Sequence, residues 1–374
     1  MEGTVERIAS QTAFSGVVRV DRGGEVELAK AYGLAHRGWG IANTIDTRFG
    51  IASGTKGLTA LTVMSLIEEG RLDLGTTARS VLGNDLPLID EAVTVEHLLA
   101  HRSGIGDYLD EEIERDPIDY VLPISAHQLG STEEYLRVLG GFETKFPPDE
   151  RFSYSNGGYV VLALIAERAS GTPFHELVVQ RVYEPAGMVD TEFLRSDELP
   201  CRAALGYLAE DGPRTNVFHL PVRGSGDGGI YSTAADVSAL WTALFAGRIV
   251  SKDLVTEMVR PWSEVPSPTQ PARYGLGIWL HPPATWWSCT DRTQACRSRP
   301  STTRASVSPT RSCRTRPMAR GRSSCISTSS STGELWVSDS RRTRSAPGHC
   351  PVTTGTSRCP RGPRRSGNRP RPSA

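Results

Sequence analysis

Ser53-Gly54-Thr55-Lys56 sets a hydroxyl and an amine three residues apart, a spacing that on a helix puts both side chains on one face within hydrogen-bonding reach. A serine hydroxyl attacks an acyl carbon poorly unless a neighbouring group takes its proton. Lysine can be that group only when neutral. Its ordinary pKa is about 10.4, so neutrality near pH 7 costs on the order of 4 to 5 kcal/mol, which burial or nearby positive charge must supply. The lysine therefore belongs at the buried foot of a helix. Taken alone, the same four residues also describe a helix-capping serine followed by a solvated lysine.

The elements around the motif favour the first picture. An extended stretch near Thr47 to Ile51 leads into Leu58, Leu61, Val63, Met64, Leu66 and Ile67, which recur with a helical period, so Ser53 stands at a helix start. Upstream, Phe14 to Val20 and Val26 to Gly33 flank Asp21-Arg22-Gly23-Gly24 as an antiparallel hairpin. Val93 to Gly104 predicts a short helix stopped by glycine. Tyr108 to Asp149 is acidic and irregular, with an amphipathic helix near Thr132 to Leu139, and is expected to lie over a site.

Phe152-Ser153-Tyr154-Ser155-Asn156-Gly157-Gly158 has turn chemistry and precedes an apolar-periodic helix from Tyr159 to Ala169, which places Tyr154 and Asn156 on a loop at its N-terminus. A further helix runs from Phe174 to Val182 and breaks at Pro185-Ala186-Gly187-Met188. Gly224 to Thr233 reads as a glycine-rich turn into a strand, then a helix that Thr233 or Asp236 caps. Its spacing is wrong for a phosphate loop, and close backbone packing is the better explanation. Tyr274 to Leu280 predicts a last strand.

Five of these features occur together in a recognisable order. Ser53-Gly54-Thr55-Lys56, Leu98-Leu99-Ala100-His101-Arg102-Ser103-Gly104, Tyr154-Ser155-Asn156, Gly228-Gly229-Ile230-Tyr231-Ser232-Thr233 and Tyr274-Gly275-Leu276-Gly277 resemble the serine beta-lactamase and penicillin-binding-protein family. The similarity is to its class C, D-alanyl-D-alanine carboxypeptidase and esterase branch, over roughly residues 14 to 280. The resemblance implies an α+β fold, an antiparallel sheet built from both chain ends and flanked by helices, with a mainly helical domain inserted from about residue 70 to 225. It implies a serine hydrolase acting through an acyl-enzyme on small esters, amides or beta-lactams, with no cofactor and no metal.

In that reading Ser53 forms the acyl-enzyme, Lys56 takes or relays its proton, and Tyr154 is partner base and acid toward the leaving group. Asn156 holds a substrate amide or Lys56 itself. The Ser53 backbone N–H is one oxyanion donor. Singly, Tyr154 also fits a buried aromatic and Asn156 a turn residue. The resemblance puts His101 at a helix end rather than in the chemistry. His36, His97, His127, His175 and His219 show no metal-ligand spacing. Cys201 reads as structural or inert, and Trp39 and Trp241 as packing residues.

The chain has 374 residues and a formal net charge of zero, but the average hides an asymmetry. From Thr285 onward there are 18 arginines, no lysine and three acidic residues, giving +15, against −15 in residues 1–284. Six of the seven cysteines also lie there, leaving Cys201 alone before it, as a reducing compartment would allow. Met1 to Arg7 lacks a secretory start, and no apolar run is long enough to span a bilayer, so the expected place is the cytoplasm, without membrane association. The oligomeric state is not legible.

One family element is missing. After the Trp279 strand the family carries Lys-Thr-Gly or His-x-Gly on a strand that supplies the second oxyanion donor, and no such motif follows here. Residues 285–374 show neither helical nor strand period, so the domain is expected to end at 284, with an Arg-, Ser-, Pro- and Cys-rich tail beyond it. Read one base earlier, with GC-rich wobble bases, Thr285 to Ala295 becomes Asp-Val-Val-Glu-Leu-(Tyr or His)-Gly-(Pro or Ser)-(Asp or His)-(Ala or Pro)-Gly. That string alternates like a strand and ends near the missing motif, which suggests a frameshift near Ala284. Two other functions remain open: an inactive or truncated family member lacking the third motif, and a basic-tail protein that interacts with nucleic acid, which the neutral overall charge disfavours.

Overall fold

The structure is a computed structural model describing residues 1–113, 119–209, 212–266, 272–281 and 286–288. Helix α1 (Glu2–Gln11) buries Val5 and Ala9, four residues apart on one face. With Phe14 they close an apolar cluster over the hairpin of β1 (Gly16–Arg22) and β2 (Glu25–Tyr32). Gly23 and Gly24 turn this hairpin at φ of 60° and 88°. Two short strands, β3 (Leu34–His36) and β4 (Ile41–Ala42), pair with each other, and β5 (Phe49–Gly50) leads to the motif.

Helix α2 (Thr55–Glu68) is buried from Thr55 through Leu66. The sequence suggested one apolar face; the fold instead encloses this helix on every side, the environment a helix of small and apolar residues requires. Its hydroxyls are satisfied inside. Thr62 Oγ1 donates to Leu58 O at 2.9 Å, Ser65 Oγ to Thr62 O at 2.7 Å, and Thr59 Oγ1 to Gly226 O at 2.7 Å.

Helices α3 (Ala78–Leu82), α4 (Val95–Leu99) and α5 (Leu136–Leu139) follow, then α6 (Asn156–Ser170), buried from Asn156 to Ala166 and packed on α2, α3 and α4. After α7 (Phe174–Val178), a wide turn at Val179–Tyr183 and α8 (Glu184–Ala186), strand β6 (Tyr231–Ser232) pairs antiparallel with β5 and so ties the approach of Ser53 to the glycine-rich turn. Helix α9 (Ala234–Ala246) is capped by Thr233, which accepts the Asp236 N–H at 3.1 Å. Helix α10 (Lys252–Met258) leads to a four-stranded antiparallel sheet of β7 (Ser263–Val265), β8 (Ala272–Tyr274), β9 (Trp279–His281) and β10 (Trp286–Ser288). No described helix is long and apolar enough to cross a membrane.

Several sequence expectations shift. Tyr274 to Leu280 is not one strand: Gly277, at φ 81°, reverses the chain between β8 and β9, and a Cβ there would lie 2.2 Å from Ala60 Cβ. The helix after Val93 ends before glycine, because His101 itself takes the left-handed conformation at φ 56°. β10 falls in a region without strand period, where backbone pairing with β9 supplies the order that the residue pattern lacks. The single sheet from both chain ends appears as separate antiparallel units, β1-β2 and β7 to β10, among the described residues. Most of the arginine-rich tail, including the re-read segment beyond Ser288, lies outside the described residues.

Candidate active site

Ser53 sits in a single 3-10 turn, Ala52–Gly54, that runs into α2. It is not an N-cap, since no side-chain cap is formed there; Ala52 at φ 47° turns the chain, and the Ile51 N–H holds it to Ile230 O at 2.8 Å. A strained non-glycine residue beside the Ser53 hydroxyl fits a functional site. One turn on, Lys56 is 1 % exposed. Its Nζ lies 3.2 Å from Ser53 Oγ, 2.8 Å from Asn156 Oδ1 and 2.8 Å from the Asp227 carbonyl.

Asn156 is fixed from its other end. Its Nδ2 donates to Leu109 O at 2.9 Å and to Glu111 Oε1 at 3.1 Å, leaving Oδ1 to face Lys56 Nζ. Asp107 holds the start of α6. Its Oδ2 accepts the Asn156 N–H at 2.6 Å and Ser155 Oγ at 2.9 Å, while Oδ1 accepts the Gly157 N–H at 2.9 Å and the Leu109 N–H at 3.0 Å. A carboxylate at a helix N-terminus gains from the unpaired N–H groups and the helix dipole.

Asp227 contributes its backbone to Lys56 and its carboxyl to Tyr108, whose hydroxyl donates at 2.5 Å. Burial pushes the Asp227 carboxyl up, opposed by the Lys56 charge, and burial together with Asp227 raises Tyr108 well above the usual phenol range. The turn carrying Asp227 approaches α6 closely: a Cβ on Gly226 would stand 2.0 Å from Tyr159 O. This is the close packing expected of those glycines.

Tyr154 presents its ring to the cluster. Lys56 Nζ lies 4.8 Å from the ring centroid, and the ring stacks on Trp279 at 6.0 Å with 23° between planes. His101 is 1 % exposed and sits behind it, ring centroids 4.4 Å apart. Burial, then the Lys56 charge, hold its pKa well below the ordinary imidazole value.

Ser53, Lys56 and Asn156 are thus joined by hydrogen bonds, with Tyr154 against Lys56. The model for the family described as Beta-lactamase aligns with residues 2–298, most of the chain. The chain belongs to the beta-lactamase family. A penicillin-binding protein of known structure from Bacillus halodurans is 35 % identical, with a TM-score of 0.69 over 74 % of this chain and 83 % of that one. The D-aminopeptidase of Brucella anthropi is 30 % identical over 272 residues, 71 % of this chain and 49 % of its own. Esterase EstB of Burkholderia gladioli is 29 % identical over 262 residues, 62 % and 66 % of the two chains. The chain spans 37 to 66 % of the length of the curated relatives it matches. The expected α+β fold of helices and antiparallel sheets is the fold of this beta-lactamase-family protein.

Asp107, Tyr108 and the Asp227 carbonyl were not among the sequence candidates. Asp107 caps a helix 49 residues away, so no local spacing announces it, and a carbonyl role leaves no mark on residue type. Among the described residues no group of histidine, cysteine, aspartate or glutamate side chains could hold a metal. Cys201 is an exposed thiol. Trp241 packs in the core as expected, whereas Trp39 is 80 % exposed and stacks on His36 instead, because its hairpin carries it out of the core.

Proposed function

We propose that this beta-lactamase-family chain is a serine hydrolase that forms an acyl-enzyme on Ser53 with small esters, amides or beta-lactams. The observation that carries the reading is the 3.2 Å approach of a buried Lys56 Nζ to Ser53 Oγ. With Lys56 in its neutral form, the Ser53 proton passes along that contact as Oγ bonds to the acyl carbon, and Lys56 and Tyr154 return a proton to the leaving group. Asn156 and the Asp227 carbonyl orient the lysine, and the Ser53 N–H faces the developing oxyanion. Relatives named as a D-aminopeptidase, an esterase and a penicillin-binding protein support acyl transfer as the reaction class. All helices from α3 to α8 fall within 70–225 and no described strand does, which supports a helical subdomain there.

A fluorophosphonate or labelled penicillin is expected to modify Ser53 in the full chain and to leave Ser53→Ala unlabelled. Absence of labelling in a folded, unaltered chain would favour the second reading, a family member inactive for want of the third motif. That reading draws on one observation, the absence of Lys-Thr-Gly or His-x-Gly after Trp279.

A further inference from the structure

We propose that His101 is a positioning residue that sets the Tyr154 loop, gripping it on both sides of the tyrosine. The inference rests on the reading of Ser53, Lys56 and Tyr154 as the acylating group. The Ser153 N–H donates to the His101 carbonyl at 2.8 Å, and the Ser155 N–H donates to His101 Nδ1 at 3.1 Å. One residue thus holds the backbone immediately before and immediately after Tyr154, and its ring lies against the Tyr154 ring. The left-handed backbone at φ 56° allows carbonyl and ring to meet the same loop.

Two features of His101 work against folding and fit this role. A left-handed β-substituted residue is strained, and the ring Nε2 is buried with no hydrogen-bond partner among the described residues. Because Nδ1 accepts, the ring hydrogen is on Nε2 and the imidazole is neutral. Protonation at Nδ1 would place two donors face to face and open the grip. The groups facing the ring are the Tyr154, Tyr159 and Tyr274 rings, Phe152 and the Lys56 ammonium. None of the four rings offers a carboxylate to favour the imidazolium, and Lys56 opposes it.

Two substitutions separate the acceptor from the packing. His101→Phe keeps a ring and removes Nδ1; His101→Asn gives up the ring, tolerates positive φ and puts an amide oxygen close to where Nδ1 stood. In full chains matched for folding by thermal melts, His101→Phe is expected to slow fluorophosphonate labelling of Ser53 on the order of 10- to 100-fold, and His101→Asn to recover most of that loss. Labelling of His101→Phe at the unaltered rate, or an asparagine variant as slow as the phenylalanine one, overturns the proposal. Failure of the unaltered chain to label sinks the acyl-enzyme reading instead. In that case, or if the variants misfold, nitrogen NMR of the unaltered chain still decides: a bare Nδ1 with protonated Nε2 at His101 is expected, and a protonated Nδ1 overturns the grip.

Discussion

The Asn156 backbone N–H and the Asp107 carboxylate meet at 2.6 Å, closing a loop of 49 residues onto the first turn of α6. The same carboxylate also takes Ser155 Oγ and the Gly157 N–H. It therefore fixes where Asn156 projects toward Lys56. Asp107→Asn replaces one acceptor oxygen with a donor among four donors. The expected loss is about 1 to 3 kcal/mol of stability, read as a lower urea midpoint at unchanged slope. An unaltered midpoint would show that the cap is dispensable.

Asn156→Leu keeps the volume but takes an acceptor from Lys56 Nζ. The lysine then loses part of its orientation, and labelling of Ser53 is expected to fall roughly 100-fold with the fold retained. Equal labelling rates would mean that Asp227 O and Ser53 Oγ suffice to hold the amine.

Gly226→Ala would force a Cβ to within 2.0 Å of Tyr159 O and 2.9 Å of Ala163 Cβ. Both neighbours belong to α6, which is packed on both the lysine helix and α4, so relief must move the glycine-rich turn and the Asp227 carbonyl with it. A loss of about 1 to 3 kcal/mol is expected, together with slower labelling. A stable variant with unchanged labelling counts against close approach at this turn.

Stability should fall as pH drops below about 6.5. Burial and the Arg223 charge hold His175 at about 4, although its ring bonds the Gly224 carbonyl, and burial and the Lys56 charge hold His101 well below the ordinary imidazole value. Each binds its proton in the unfolded chain before the folded one, so its contribution is complete above the unfolded pKa and declines below it. The expected slope is about 1.4 kcal/mol per histidine per pH unit. Asp227 and Asp236, raised by burial, act in the opposite sense, and urea midpoints from pH 7.5 down to about 5.5 bracket the ordinary histidine pKa of the unfolded chain. A flat midpoint across that range would contradict the buried neutral histidines.

The gene around Ala284 provides a separate check. A one-base offset there is expected to open a frame encoding an alternating strand followed by Gly and a His-x-Gly-like end. Nucleotides without an open continuation in that frame would remove the explanation.

The sequence by itself carried the family resemblance in five short motifs, and residue type and spacing marked the Ser53-Lys56 pair, the hairpin around Gly23-Gly24 and the helix after Asn156, because each leaves a local pattern a few residues long. The partners that make Lys56 a buried, oriented amine were decided only in three dimensions. Asp107 acts from 49 residues away and Asp227 through a carbonyl 171 residues from the lysine. Neither contact has a period or a motif. Likewise, His101 looked like the end of a helix, which it is. That the same residue grips both sides of Tyr154 follows from a left-handed backbone and a buried ring meeting one loop, a coincidence of direction that chain order cannot encode.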